Sequence, residues 1–140
     1  MSMLGIHNHS INAKGRMNFP AKLLDELGNK FVLTVGLDGC IFVYSIESWE
    51  KLSEKIQSYP IAQSRQLARL LFGNACEVEP DAQGRIIIPK NLRDYAGLSQ
   101  AVIVIGSSTH AEIWDAERWN KQMDIDVQQT LTDCITDMQF

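Results

Sequence analysis

Residues 12–16 read Asn12-Ala13-Lys14-Gly15-Arg16, and residues 81–85 read Asp81-Ala82-Gln83-Gly84-Arg85. One five-residue pattern therefore occurs twice, and the likeness extends outward from it. At the same offset Pro20 falls on Pro89, Leu23 on Leu92 and Leu27 on Ala96. After a one-residue slip, Phe31–Gly36 lies over Ala101–Gly106, Tyr44 over Trp114, Ser45 over Asp115 and Trp49 over Trp119. Matches that keep one order over so long a stretch identify a fused tandem duplication.

Each copy reads alike in physical terms. A strand, Leu4–Ile11 or the shorter Cys76–Pro80, runs into the glycine-arginine loop. Asn12 and Asp81 suit the first position of a type I turn, because a side-chain oxygen there accepts backbone N–H bonds. Gly15 and Gly84 supply the left-handed residue that closes such a loop as a hairpin with a bulge. A short apolar strand follows, Met17–Phe19 or Ile86–Ile88. Pro20 and Pro89 suit the first position of a short helix, and Gly28 and Gly97 its C-terminal cap. Two strands come next, Phe31–Val35 and Cys40–Tyr44 or Ala101–Ile105 and Ala111–Trp114, with His110 in the turn between the latter pair. Ser45 and Asp115 are candidate N-caps for a helix carrying Trp49 or Trp119.

Between the copies, Glu47–Gln57 is amphipathic through Trp49, Leu52 and Ile56. Pro60 breaks it, and Ile61–Phe72 forms a second helix with Leu67, Leu70 and Leu71 inward. Its Arg65 and Arg69 share one face, either solvated or paired with acids of a neighbouring subunit. From Asp126 the pattern fades into a frayed tail or weak final helix.

A copy of some 55 residues is too small to bury a sufficient core alone. Two copies interleaving their strands about a pseudo-twofold axis give an α+β fold, one small β-barrel with helices packed outside. The expected organisation is a single domain spanning 1–140, with pseudo-repeats 4–58 and 73–126, a helical linker 59–72 and a tail 127–140.

Composition narrows the function. Hydrophobic residues are 45% and charged residues 21% of the chain, ordinary for a folded soluble protein. No apolar run reaches the ~20 residues of a membrane-spanning helix, and the polar stretch Met1–Ser10 is unlike a secretion signal. Cys40, Cys76 and Cys134 fit neither a disulfide framework nor a metal knuckle. A cytoplasmic location is expected. The net charge of −4 is unevenly spread: Lys14, Arg16 and Lys22 are the only charged side chains up to Leu24, whereas eleven acids face five bases from Glu77 onward. Such asymmetry marks one anion-seeking face or, more blandly, an uneven solvated surface.

The stretches around the two loops, HSINAKGRMNFPAKL and EPDAQGRIIIPKNLRDYAGL, carry a likeness. Two (D/N)xxGR loops, each followed by proline and an amphipathic helix, resemble the MraZ family of the SpoVT/AbrB-like superfamily of swapped-hairpin barrels. The resemblance covers residues 3 to about 125 and implies a tandem-duplicated swapped-hairpin barrel. It also implies a cytoplasmic, nucleoid-associated transcriptional regulator, not an enzyme, assembling into rings that commonly have eight subunits. Such rings bind direct repeats of double-stranded DNA upstream of the division and cell-wall gene cluster. Carried over by motif position, the DNA-contacting residues are Lys14 and Arg16 in the first loop with Asn12 and Gly15, and Lys22 beyond it. Arg85 is the motif arginine of the second loop, beside Asp81, Gln83 and Gly84, with Gln83 in the lysine position.

One departure matters. The family's first loop usually begins with aspartate, where this chain has Asn12. Asparagine keeps the turn-forming carbonyl and loses the charge that would pair with Arg16. The expectation is a first loop more positive than the second, with Asp81 holding Arg85 partly for structure.

Other signals read more blandly. Arg16 alone would pass for a surface or barrel-pinning arginine. His7 and His9 share a strand face without a third metal ligand, so no metal is expected. They line the loop's surface, adding positive charge near pH 6. The three tryptophans are core, and Cys40 and Cys76 are small buried hydrophobes. No nucleophile motif, phosphate loop or dinucleotide fingerprint is present, so neither catalytic residue nor cofactor is expected. The competing classes are a ring scaffold using the same loops on a protein partner, an enzyme on a related small barrel, and a single-copy antitoxin-like dimer.

Overall fold

The computed structural model describes residues 2–124 and 126–139. Met1 of the leading stretch, Ile125 of the second repeat and Phe140 of the tail lie outside that description. Strands β1 (Ile6–Ser10) and β2 (Arg16–Asn18) precede helix α1 (Ala21–Leu27), then β3 (Phe31–Val35), β4 (Ile41–Ser45), α2 (Ile46–Gln57) and α3 (Ile61–Gly73). The second repeat supplies β5 (Cys76–Val78), β6 (Arg85–Ile87), α4 (Lys90–Ala96), β7 (Ala101–Ser107), β8 (His110–Asp115), α5 (Ala116–Asp124) and α6 (Val127–Met138).

Six strands form an antiparallel sheet in the order β1-β7-β8-β4-β3-β5, and β2 pairs with β6 as a separate two-stranded ribbon. Exchanging the repeats reverses the sheet order onto itself, the signature of a pseudo-twofold axis between β4 and β8. Strands are swapped: β1 pairs with β7 of the other repeat, β5 with β3, and β2 with β6. The backbone pairing leaves the sheet open at β1 and β5, so a closed barrel is not part of the observed ladder. The ribbon lies against one sheet face, where Met17 and Ile86 enter the same core as Leu33, Val43, Val104 and Ile113.

The register corrects the sequence alignment of the repeats. Phe31 opposes Ser45 and Val102 opposes Asp115. Since Ser45 and Asp115 are equivalent, Phe31 corresponds to Val102 and not to Ala101. Leu33 and Val104 then share the core, and a second slip falls in the β7–β8 turn. One residue of slip inverts every side chain of a strand. The β3 and β7 segments are apolar on both faces, so their patterns did not reveal it.

Pro20 and Pro89 stand at the N-cap, one residue earlier than expected, with extended ψ of 125° and 151°. The Pro20 carbonyl still accepts from the Leu23 and Leu24 amides at 3.0 and 3.1 Å. Ser45 caps α2 by accepting from the Ser48 amide at 3.1 Å. Buried Asp115 accepts from the Arg118 amide at 3.4 Å and from the Ser99 hydroxyl at 3.0 Å. In α3, Leu67 and Leu71 turn partly inward, but Leu70 is exposed. It lies about a sixth of a turn outside the inward arc that Leu67 and Leu71 define. The tail forms a regular helix, α6, none of whose side chains is buried. Trp114 is buried and meets Trp119 edge-on at 5.5 Å, while Trp49 and Trp119 are half-buried. Cys40 is fully buried, which pushes its thiol up to about 12, and Cys76 is half-buried.

The inward and outward sides of the ribbon make a stability prediction. Ile86→Ala removes a side chain 1% exposed and should cost about 2–5 kcal/mol. Ile87→Ala, at a site 54% exposed, should stay within about 1 kcal/mol. Equal losses in urea unfolding would contradict this orientation.

Candidate nucleic-acid interface

The two loops have one backbone design. In the first, the Gly15 amide donates to the Asn12 carbonyl and the Asn12 amide to the Arg16 carbonyl, both at 3.0 Å. Asn12 Oδ1 accepts from the Lys14 amide at 3.0 Å and the Arg16 amide at 2.9 Å. In the second, Gly84 donates to the Asp81 carbonyl and Asp81 to the Arg85 carbonyl, both at 2.9 Å, and Asp81 Oδ1 accepts from the Gln83 and Arg85 amides at 2.9 Å. The asparagine thus makes every turn bond that the aspartate makes. Gly15 and Gly84 adopt φ of 83° and 78°, as the bulge requires. The strands flanking each loop do not continue as a hairpin, since β1 and β2 meet only at Ile11 and Met17.

The side chains differ. Asp81 Oδ2 accepts from Arg85 Nε at 2.9 Å. The Arg85 backbone N–H, then its guanidinium, hold the Asp81 carboxyl below its ordinary value. Arg16 has no hydrogen-bond or ion-pair partner for its guanidinium among the described residues.

The loops deliver their arginines to the ribbon. Arg16 opposes Ile87, Met17 opposes Ile86, and Asn18 opposes Arg85. Since opposed residues point to one side, Arg16, Asn18, Arg85 and Ile87 share the outer face, while Met17 and Ile86 point inward. Arg16 and Arg85 line two common concavities, one with Glu77 and Glu79, the other with Asn12 and Asn18. Lys30 lies 3.5 Å from Glu77 and 3.7 Å from Glu79, offsetting these two acids. Lys14 and Gln83 are exposed near the loop tips. Lys22 stands apart, lining another concavity with Ser2, Leu4 and Glu26.

The loops are also braced differently. Ile88 N–H donates to the Gly15 carbonyl at 2.7 Å, and Phe19 N–H to the Gly84 carbonyl at 3.0 Å, so each loop is tied to the other repeat. Arg93 Nε donates to the Ile88 carbonyl at 2.9 Å and its Nη1 reaches the Ala13 carbonyl at 3.5 Å. The position equivalent to Arg93 is Leu24, which lies beside Gly84 and Asp81 together with Asp25 and Glu79. The first loop therefore has a basic brace and the second an apolar one with acids around it.

Sequence reasoning did not single out Asn18, Ile87 or Arg93. Alternation outward from Arg16 and Arg85 would have found the first two. Arg93 acts through a contact 80 residues away in the chain, which local pattern does not display.

The histidines depart from expectation. His7 and His9 are half-buried and turn toward the side of Val104 and Val102, which are core residues. Burial first, and then the charge of His7, lower the His9 pKa, so His9 gains its proton only in more acid solution than expected. His110 lies in β8, not in a turn. It contacts Glu112 at 3.3 Å and stacks on Tyr44 with ring centres 5.4 Å apart. Burial opposes ionisation of Glu112, but hydrogen bonds from His110 and Trp114 keep its pKa lowered. Among the described residues, no three His, Cys, Asp or Glu side chains gather as a metal site, and no helix is long and apolar enough to cross a membrane.

The family profile described as "MraZ protein, putative antitoxin-like" matches residues 3–70 and again 71–138. The chain belongs to the MraZ family. It is 50% identical over 117 residues to the transcriptional regulator MraZ of Acetivibrio thermocellus, covering 82% of each chain. Against the MraZ regulator of Caldicellulosiruptor saccharolyticus it is 46% identical over 123 residues, 86% of each. Against that of Pelotomaculum thermopropionicum it is 48% identical over 118 residues, 83% of this chain and 81% of the relative. The MraZ relatives are named for transcriptional regulation, a non-enzymatic role. The two profile matches restate the duplication that the MraZ fold displays as a pseudo-twofold axis.

The bracing predicts unequal glycine sensitivity. A Cβ on Gly15 would meet the Ile88 carbonyl oxygen at 2.7 Å and Arg93 Nε at 2.8 Å, whereas one on Gly84 meets only Leu24 Cδ1 at 3.5 Å. Both carry the cost of positive φ, about 1 kcal/mol, so Gly15→Ala should lower Tm clearly more than Gly84→Ala. For Asp81, the lowered pKa means its stabilising contribution is present above the unfolded value and is lost as pH falls through the folded one. An NMR titration should place the Asp81 midpoint below about 3.9, and a midpoint at or above that value would dismiss the bond to Arg85.

Proposed function

We propose that this chain is a DNA-binding transcriptional regulator that lays the outer face of the β2·β6 ribbon and the first loop against duplex DNA. The observation that carries the reading is the unpaired Arg16 guanidinium beside Arg85 on that face. A two-stranded ribbon fits the major groove, where an arginine can bond guanine O6 and N7 and an apolar side chain such as Ile87 can meet a thymine methyl. Lys14 at the loop tip takes a phosphate, with Asn12 and Gly15 shaping the tip. Arg85, held by Asp81, with Gln83 and Gly84 around it, is the positioning partner. Lys22 is at most a peripheral phosphate contact, given its separate place.

One chain with two or three free cations neutralises too few phosphates to hold DNA firmly at physiological salt. Assembly supplies the rest. The single two-repeat domain forms a closed ring of about eight subunits by the family precedent. The ring repeats the ribbon at fixed spacing, and direct-repeat boxes upstream of the division and cell-wall gene cluster meet several ribbons at once. The regulator works in the cytoplasm on the nucleoid. Of the second-repeat acids, Glu77, Glu79 and Asp81 stand beside the arginines but are engaged by Lys30 and Arg85, which limits their opposition to DNA despite the net charge of −4.

Mobility shifts with upstream and scrambled DNA test this directly. Arg16→Ala should abolish specific binding, by about tenfold or more per contact, with unchanged circular dichroism. Arg85→Ala should weaken it less. The opposite ranking would reverse the division of labour. Equal affinity for one box and for three would remove the role of assembly. Equal affinity for upstream and scrambled DNA would turn the reading toward a scaffold using the same loops on a protein.

A further inference from the structure

The pseudo-twofold axis gives every feature of one repeat a counterpart in the other, and one counterpart is missing. On the sheet face away from the ribbon, Thr34 is completely buried beneath α3, and its hydroxyl donates to the Leu71 carbonyl at 2.6 Å. Beside it Trp49 meets Phe72 edge-on at 5.3 Å. By register the equivalent residues are Ile105 and Trp119. There the cover is absent: Ile105 is only half-buried, Ile6 directly opposite it is 62% exposed, and nearby Leu4 is 70% exposed. Two large aliphatic side chains, Leu4 and Ile6, thus stand exposed beside Ile105, itself only partly covered by the Trp114 and Trp119 cluster, where the other repeat seats a helix.

In chain order the counterpart of α3 is α6. Its Val127, Leu131, Ile135 and Met138 follow one another at spacings of four, four and three, so they form a single apolar stripe, with Asp133 and Asp137 on the far side. None of these side chains is buried. A helix that is amphipathic yet unseated and a seat that is apolar yet empty occur on one molecule.

We infer that α6 of one copy seats on the outer face of β1 and β7 of the next copy, against Leu4, Ile6 and Ile105, as α3 seats on β3 within the chain. Helix and seat are different surfaces, so the contact is head-to-tail, the type that closes rings. Pairing of two α6 helices with each other is disfavoured. Residues 126–139 carry Asp126, Asp133 and Asp137 and no lysine or arginine, so like charges would meet. At the seat, Glu112 opposite Ile105 is engaged by His110 and Trp114, and Lys22 and Glu26 line a concavity with Leu4, so apolar contact and not charge joins helix to seat. The inference rests on the ring reading above and supplies its joint.

Sedimentation velocity on the full chain tests it with Leu131→Asp on the helix and Ile6→Asp on the seat. Both sites are at least half exposed, so circular dichroism should be unchanged. The unaltered chain should sediment as a ring, and each variant should fall to the 15.8 kDa monomer. An equimolar mixture of the two should stop at two-chain particles, because one intact helix and one intact seat remain between them. If both variants form rings as the unaltered chain does, the joint lies elsewhere and the ring reading stands. A monomeric unaltered chain would overturn both. Exposed Cys134 lies on the edge of the stripe and gives a readout independent of the aspartates. Ile6→Cys treated with a short bis-maleimide should yield a ladder of linked chains beyond that of the unaltered protein. Linkage confined to single chains would mean that α6 folds back on its own seat, and would overturn the inference.

Discussion

The pairing of β2 with β6 is the constraint on which the rest of this molecule depends. Three-residue strands have little stability of their own, and neither pairs with its own repeat. They hold because Met17 and Ile86 plug a shared core and because Gly15 and Gly84 each accept an amide from the opposite repeat. With the inner side chains fixed, pleat geometry sends their neighbours outward, which is how two arginines reach one exposed surface. Core packing and the presentation of charge are therefore the same event seen from two sides. A single repeat would have neither.

Much of this was legible in advance because it is local. The glycine-arginine loops, their Asx-type turns, the caps at Ser45 and Asp115 and the duplication itself each follow from residues close together in sequence. What escaped notice is non-local or degenerate. The β3–β7 correspondence was one residue off because Phe31–Val35 and Val102–Ile105 are apolar on both faces, and only cross-strand partners distinguish the registers. Leu70 looked inward because its leucine neighbours do. Arg93 passed unremarked since its acceptors, the Ile88 and Ala13 carbonyls, belong to different repeats. For His110 the local pattern suggests a turn, whereas its ring is held within a strand by Tyr44 and Glu112. For the loops, the inference from asparagine to an uncompensated first arginine depended on one missing charge, and the geometry of Asn12 and Asp81 agrees with it bond for bond.

Fusing two copies has let their electrostatics diverge while their backbones stay matched. At the second loop, carboxylate and guanidinium satisfy each other within a neighbourhood that also contains Asp25 and Glu79. At the first, Arg93 occupies the place of Leu24, and Asn12 leaves Arg16 without a counter-charge. Of the two motif arginines, the one without an ion pair sits on the loop with more bonds to the other repeat, so its position is fixed by neutral and basic groups without an ion pair that would have to be broken on binding.

That divergence gives the ribbon a direction. A symmetric pair of identical tips, as in a dimer of single copies, would look the same after half a turn and would favour palindromes. Here half a turn exchanges Asn12 for Asp81 and Arg93 for Leu24, so the surface has a distinguishable head and tail. A polar partner aligned on such a surface is read in one orientation only. On the proposed ring, successive copies would then select segments that all run the same way along the strand.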